Sequence, residues 1–327
     1  MQSVVIGGGA WGTAIANLLA SNSPKVHILS RNHKIIDSIN NSHTNPVYFD
    51  GFQLNQGIIA TNDPAILTQA ESVFIAIPSQ STRAVLKEIK KNIKKDAQII
   101  LCNKGIEKGS MMLISEVVQD EIKNNIFFLS GPNFAHEVIA EKYSFANLAS
   151  ADSEKYKELS EAISTRTFFT KYIKDINGAQ VIAAFKNAVA ILCGLLVRLG
   201  SEFNTLAALV SIALTEVKGF VEVKNGDPNT ITEFCGIGDL VLTCFSDKSR
   251  NFKFGYELID GKENNTLVEG RATLESLYEL AKKHDINCIL INTLHDIITS
   301  RTKNLTSLKD EVRNKLDLAF NQILRHY

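Results

Sequence analysis

The run Val4-Val5-Ile6-Gly7-Gly8-Gly9-Ala10-Trp11-Gly12, passing directly into the helical pattern Thr13 to Ala20, leaves few folds open to this chain. It reads as a strand, a glycine turn and a helix. Gly7, Gly9 and Gly12 carry the G-x-G-x-x-G spacing: the first glycine permits a tight turn, the second lets a pyrophosphate approach the backbone, and the third lets helix and strand pack closely. The helix N-terminus then offers unpaired N–H groups and a partial positive charge to an anion. Glycine-rich turns without a ligand share such a spacing, but here strand, turn and helix follow in the order a dinucleotide site requires.

A chain of 327 residues exceeds the size at which single cores stop growing, so two domains are expected. Lys+Arg and Asp+Glu number 35 each, and a formal net charge of zero provides no field for nucleic acid or an anionic membrane surface. Any anionic ligand must be held by local charges. The five cysteines, Cys102, Cys193, Cys235, Cys244 and Cys288, lack C-x-x-C spacing and are odd in number. That argues for a reduced, cytoplasmic chain without a disulfide framework, structural zinc or other metal site. No basic n-region precedes the first strand, so no signal peptide is expected. The apolar stretch 188–197 is closed by Arg198 and Glu202, short of the ~18 residues of a membrane span, and reads as a buried helix.

Further strands are predicted at Val26 to Leu29, Ser72 to Pro78, Ala97 to Cys102 and Ile126 to Leu129, with shorter ones near Phe145 to Ala149 and Thr167 to Tyr172. Residues 41–56 read as loop and short strand, with helices over 81–94 and 110–123. This alternation predicts an α/β, Rossmann-type, doubly wound and mostly parallel sheet whose ligands sit beyond the carboxyl ends of the strands. The turns at Gly7, Lys104 and Gly131 are expected to converge there. From Gly178 onward the pattern is all-helical, over 178–198, 204–224, 231–245, 273–284, 290–301 and 307–325. The expected division is a dinucleotide-binding domain, 1–177, and a helical substrate domain, 178–327.

Where an NAD-preferring fold offers an acid to the adenosine ribose, roughly 20 residues past the glycines, this chain has Arg31. A guanidinium pairs with a 2′-phosphate or stacks on adenine, which favours NADP(H); the alternative is an ordinary exposed arginine. In the second half Lys186 interrupts the apolar helical pattern Ala183-Ala184-Phe185-Lys186-Asn187-Ala188-Val189. Such a lysine either snorkels to solvent or is kept for its proton, because desolvation disfavours its charged form and suits it to acid–base work. Gly236-Ile237-Gly238-Asp239 places Asp239 at a helix start, where an N-cap is the plainer reading. Ser249-Arg250-Asn251 is a donor-rich tripeptide suited to a phosphate or carboxylate.

Together with Lys104-Gly105-Ile106-Glu107, Leu129-Ser130-Gly131-Pro132, Asn204 with Ala207-Ala208-Leu209, and Glu269-Gly270, these motifs resemble, in order, the bacterial NAD(P)-dependent glycerol-3-phosphate dehydrogenases over residues 1 to about 325. The resemblance implies interconversion of sn-glycerol 3-phosphate and dihydroxyacetone phosphate with NADP(H) or NAD(H), for phospholipid synthesis, by a homodimer of Rossmann and helical domains. It implies Lys186 as the general acid–base, with Lys104 and Asp239 orienting it and the C2 hydroxyl. Ser249, Arg250 and Asn251 would hold the phosphate of the small-molecule substrate, with Gly131 and Asn133 beside it. Gly7, Gly9, Ala10, Trp11, Gly12, Arg31, Lys104, Ala135, Arg250, Leu267 and Glu269 fall at cofactor positions.

Several positions depart from the family pattern: Asn103 in place of Ser, Asn133 in place of Ser or Thr, Cys235 in place of Ala, and Ser211-Ile212-Ala213 in place of Thr-Arg-Gly. The loss of that Arg bears on a local salt bridge or interface. Two other readings stay open from sequence. One is a related dehydrogenase of hydroxyacyl thioesters or sugar acids, which would lean on a His–Glu pair, here His136-Glu137, or on a different lysine constellation. The other is a dinucleotide-sensing module without turnover, which has no need of a phosphate clamp beside a proton donor.

Overall fold

The structure, a computed structural model, describes residues 1–260, 269–299 and 305–326, which form two compact units. The first comprises Met1–Asn103 and Ile114–Ile176, the second Lys104–Leu113 and Asn177–Tyr327. The segment Lys104–Leu113, which chain order alone leaves in the first half, therefore packs with the second: Ile106 and Leu113 are fully buried in the helical core.

Unit one is built on a sheet of eight strands: β1 (Ser3–Ile6), β2 (Val26–Leu29), β3 (Ile58–Thr61), β4 (Ser72–Ile75), β5 (Gln98–Leu101), β6 (Ile126–Ser130), β7 (Ser144–Ala149) and β8 (Phe168–Ile173). Their order is β3-β2-β1-β4-β5-β6-β7-β8, with every pairing parallel except β6 with β7. The central strands β1 and β4 are buried along their whole length, as expected of parallel strands covered on both faces. Helices α1 (Ala10–Asn22), α2 (His33–Ser42), α3 (Thr82–Ile89), α4 (Ile114–Glu121), α5 (Ala135–Ile139) and α6 (Tyr156–Ile163) complete the unit.

The chain reverses its winding between β1 and β4, so the turns after these strands border the crevice where doubly wound sheets bind ligands. Two helices are shorter than the sequence pattern predicts, Thr82–Ile89 against 81–94 and Ile114–Glu121 against 110–123. β3 lies outside the predicted 41–56 segment, which instead holds an isolated bridge between Asn45 and Phe49.

Unit two is helical: α7 (Ile176–Arg198), α8 (Phe203–Val223), α9 (Asp239–Cys244), α10 (Arg250–Leu258), α11 (Glu269–His284), α12 (Ile289–Thr299) and α13 (Leu305–His326). α7 is buried continuously from Gly178 to Leu196. It alone among the described residues is long and apolar enough to cross a membrane, yet 94% of its most apolar window is buried inside the protein, the condition of a core helix. Ile212, at the position of the family's usual Arg, packs partly buried against this core. Glu216 of α8, 6% exposed, caps α12 from outside: its carboxylate accepts from the N–H groups of Ile289 and Leu290 and from the Cys288 thiol.

The single helix predicted over 231–245 does not form. A 3₁₀ turn at Pro228–Thr232 and a π-type turn at Phe234–Gly238 precede α9, and the break sits at Gly236, whose φ of −90° and ψ of −111° are not helical. A Cβ there would collide with the carbonyl of Ile231, so the close approach of these backbones requires glycine.

Candidate active site

In unit one the glycine turn leaves β1 with Gly7 at φ +116°, a conformation L side chains avoid, and a Cβ on Gly7 would stand 2.5 Å from the carbonyl oxygen of Ala76. A Cβ on Gly12 would overlap the carbonyl of Gly7, which explains the tight seating of α1 on the turn. Gly9 differs: a Cβ there would meet no protein atom within 4 Å, so packing does not require this glycine. Gly9 is also the N-cap of α1 and provides no side-chain cap, which leaves the first-turn N–H groups for an incoming acceptor.

A cavity of about 470 Å³ is lined by Gly7, Gly8 and Gly9, by Arg31 and Asn32 after β2, and by Ile77 and Pro78 after β4. A larger one, about 760 Å³, lies among Met1, Ser3 and Gln98 at the amino ends of the strands. Parallel sheets bind ligands beyond their carboxyl ends, so the smaller cavity is the candidate site.

The remaining unit-one positions lie on turns or helix starts. Trp11 opens α1, and its indole N–H is buried without a hydrogen-bond partner. Asn103 follows β5 and donates to Thr82 Oγ1 at 2.8 Å. After β6, Gly131 has no room for a Cβ because the backbone of Phe145 and Ala146 approaches it, and Asn133 donates to the Phe145 carbonyl at 3.1 Å while its Oδ1 is buried without a partner. Ala135 begins α5. An orphaned indole N–H, an orphaned amide oxygen and a glycine that packing does not require fit a dinucleotide bound at this edge. His136, of the His–Glu pair that the thioester reading could use, packs edge-on against Phe49 at 4.9 Å between ring centroids.

In unit two the structure assembles Lys186 of α7, Asp239 at the start of α9, Thr243 one turn further along α9, and Lys104. Asp239 accepts from both lysines, one carboxylate oxygen for each: Oδ1 is ion-paired to the Lys186 ammonium, and Oδ2 lies 2.7 Å from Lys104 Nζ. Lys186 Nζ also donates to Thr243 Oγ1 at 3.0 Å, and that hydroxyl donates in turn to the Asp239 carbonyl at 2.6 Å. Lys186 is 5% exposed and Asp239 is 2% exposed.

Burial pushes the Lys186 ammonium down to about 8; Asp239 opposes the shift and neighbouring Lys104 adds to it. For Asp239, burial alone would favour the acid, but Lys104 and Lys186 together hold the carboxyl below its ordinary range. The result is an ammonium that exchanges its proton near neutral pH beside a carboxylate that stays ionised, the pairing acid–base chemistry needs. Burial pushes the nearby Cys235 thiol up to about 12, so it does not ionise near neutral pH.

The tripeptide Ser249-Arg250-Asn251 forms the entry to α10. Ser249 is its N-cap, accepting from the Phe252 N–H at 3.3 Å, and Arg250 is exposed. Asn251 donates to Asn187 Oδ1 at 2.8 Å and accepts from the Gly270 N–H at 3.1 Å, which joins α10 to α7 and α11. Glu269, the first residue of α11, is half-buried. Leu267 lies outside the described residues. Sequence reasoning assigned no role to Thr243 or Asn187. The signal for Thr243 is its spacing four residues after Asp239, which puts both on one helix face. The described residues hold no group of three His, Cys, Asp or Glu side chains suited to a metal ion.

Comparison with known proteins agrees across the whole chain. Residues 3–156 match the family model of the NAD-dependent glycerol-3-phosphate dehydrogenase N-terminus, and residues 175–309 match that of the C-terminus. A glycerol-3-phosphate dehydrogenase [NAD(P)+] of Neorickettsia sennetsu is 57% identical over 99% of this chain and 97% of its own length. One from Erythrobacter litoralis is 35% identical over 91% and 92%. The crystal structure of glycerol-3-phosphate dehydrogenase from Coxiella burnetii superposes with a TM-score of 0.87 at 30% identity, covering 95% of this chain and 98% of that one. The chain belongs to the NAD-dependent glycerol-3-phosphate dehydrogenase family.

Proposed function

We propose that this protein interconverts sn-glycerol 3-phosphate and dihydroxyacetone phosphate using NADP(H) or NAD(H), and that Lys186 moves the proton. The observation that carries this reading is the buried Lys186 ammonium, lowered to about 8 and ion-paired to Asp239. In the reducing direction Lys186 gives its proton to the C2 oxygen; in the oxidising direction the neutral amine takes it back. Asp239 orients the ammonium, Thr243 Oγ1 fixes a second direction of it, and Lys104 adds positive charge where alkoxide character develops.

When bound, the nicotinamide cofactor supplies the hydride chemistry. The residues proposed to hold it are Gly7, Gly9, Ala10, Trp11, Gly12, Arg31, Lys104, Ala135, Arg250, Leu267 and Glu269. Ser249, Arg250 and Asn251 would grip the substrate phosphate. The side chains of Ser249 and Asn251 already serve hydrogen bonds within the protein, which leaves the exposed Arg250 fork as the principal clamp. Gly131 and Asn133 complete the substrate positions.

The reading extends to a cytoplasmic homodimer with reduced cysteines; all five cysteines are free and buried. Sedimentation of the purified chain tests the dimer. The activity is tested by oxidation of NADPH on addition of dihydroxyacetone phosphate: turnover is expected, and cofactor binding without turnover would favour a sensing role.

A further inference from the structure

Asn45 lies in the loop between α2 and β3 and is fully buried. Its Nδ2 donates to the carbonyl of Gly8 at 3.1 Å and to Thr13 Oγ1 at 2.9 Å, so the amide spans the glycine turn and the first turn of α1. The backbone carbonyl of Asn45 accepts from the N–H groups of Tyr48 and Phe49 at 3.1 and 2.8 Å, while its side-chain Oδ1 is buried without a partner. Phe49, 1% exposed, fixes this loop in the core of unit one, and Tyr48 lines the same cavity as Gly8 and Gly9. A loop distant in sequence thus takes hold of the peptide at the centre of the candidate phosphate site.

The peptide between Gly8 and Gly9 is trans, and in a trans peptide the carbonyl and the following N–H point to opposite sides. Holding the Gly8 carbonyl towards Asn45 therefore turns the Gly9 N–H away from it and sets the direction in which this peptide offers a donor to an anion. Only a side chain with two donors on one nitrogen satisfies the Gly8 carbonyl and the Thr13 hydroxyl together; aspartate has the same shape but would set oxygen against the Gly8 carbonyl.

We infer that Asn45 is a positioning residue of the dinucleotide site: its amide locks the glycine turn in the conformation that receives a pyrophosphate. This rests on the reading of unit one as a dinucleotide site.

The test is calorimetric titration of the full chain with ADP-ribose, which carries the pyrophosphate, and with adenosine, which does not. Asn45→Leu removes both donors; Thr13→Val removes one acceptor, together with the hydroxyl's own long contact to the Gly8 carbonyl at 3.5 Å, with almost no change of shape, and serves if the first variant folds poorly. Asn45→Leu is expected to weaken ADP-ribose by about tenfold, the size of a lost backbone contact, with adenosine within about twofold of the parent. Thr13→Val should show the same selectivity at smaller size, and in both the KM for NADPH should rise by more than kcat falls. Unchanged ADP-ribose affinity overturns the inference, as does an equal loss for both ligands, which would mark general damage to the fold. A parent chain that does not bind ADP-ribose overturns the dinucleotide reading itself and this inference with it, whereas a parent that binds beside variants that bind equally well overturns this inference alone.

Discussion

The Lys186 ammonium is ion-paired to the Asp239 carboxylate inside the helical unit, with neither side chain more than 6% exposed. Because Asp239 also accepts from Lys104, the anion that lets Lys186 stay protonated also holds beside it the cation that helps it lose a proton. Two substitutions should therefore move its titration in opposite directions. Lys104→Met removes a neighbouring cation and should shift the alkaline limb of the reduction profile to higher pH. Asp239→Asn removes the partner anion and should shift it to lower pH, while lowering stability by roughly 3–5 kcal/mol because two cations lose their counter-ion. Profiles of kcat against pH for dihydroxyacetone phosphate reduction check both signs; shifts in the same direction would contradict the geometry.

The parent profile has a sign of its own. Reduction needs protonated Lys186 and should fall as pH rises through about 8, whereas oxidation needs the neutral amine and should rise over the same interval. Opposite limbs in the two directions are the expected result.

Arg31 lines the cavity beside the glycine turn and is exposed. Arg31→Asp should lower kcat/KM for NADPH relative to NADH by at least ~10-fold, because a bidentate cation is exchanged for an anion at the 2′-phosphate. An unmoved ratio assigns the preference to another residue.

Arg250 is the exposed member of its tripeptide, so Arg250→Gln should injure phosphorylated substrate selectively. The measurement is the ratio of kcat/KM for dihydroxyacetone phosphate to that for dihydroxyacetone, expected to fall by ~10² with loss of a charge-assisted pair. Arg250→Lys keeps the charge without the fork and should lie between parent and Gln. Equal losses on both substrates would place the phosphate elsewhere.

Glu216 is buried while it caps α12, and that burial raises its carboxyl to about 6. Its folded value exceeds its unfolded value, so above pH 6 both states are ionised and the full penalty of burial applies. As pH falls through 6 towards the unfolded value of about 4.3, the folded state takes up the proton first and stability rises, by about 2 kcal/mol in total. Denaturant unfolding of the parent and of Glu216→Gln across this interval should differ by that component.

Much of the fold is legible in the sequence. β1, β4, β5 and β6 are buried over nearly their whole length and so appear as mostly apolar runs, and β2 stays legible although His27 interrupts it. Lys186 stood out as a lone cation in an apolar helix. β3 was hidden because it is an edge strand of alternating burial among polar residues. The helix predicted over 231–245 failed because apolar spacing runs through Gly236 while the backbone there cannot be helical. Thr243 resembles core filler until the Lys186 bond is seen, and Asn45 resembles an ordinary turn residue until its contact with Gly8 is seen. That Lys104 packs with the helical unit depends on long-range contacts that chain order does not carry.

The most direct test of Lys186 as the proton carrier is the single-turnover rate of dihydroxyacetone phosphate reduction by Lys186→Ala with NADPH already bound, checked by cofactor fluorescence. Positioned acid–base groups contribute ~10²–10⁴, so the rate should fall by at least ~10² with NADPH affinity retained. A variant that reduces dihydroxyacetone phosphate at the parent's rate would contradict the account and move the proton to another group, with Lys104 the next candidate.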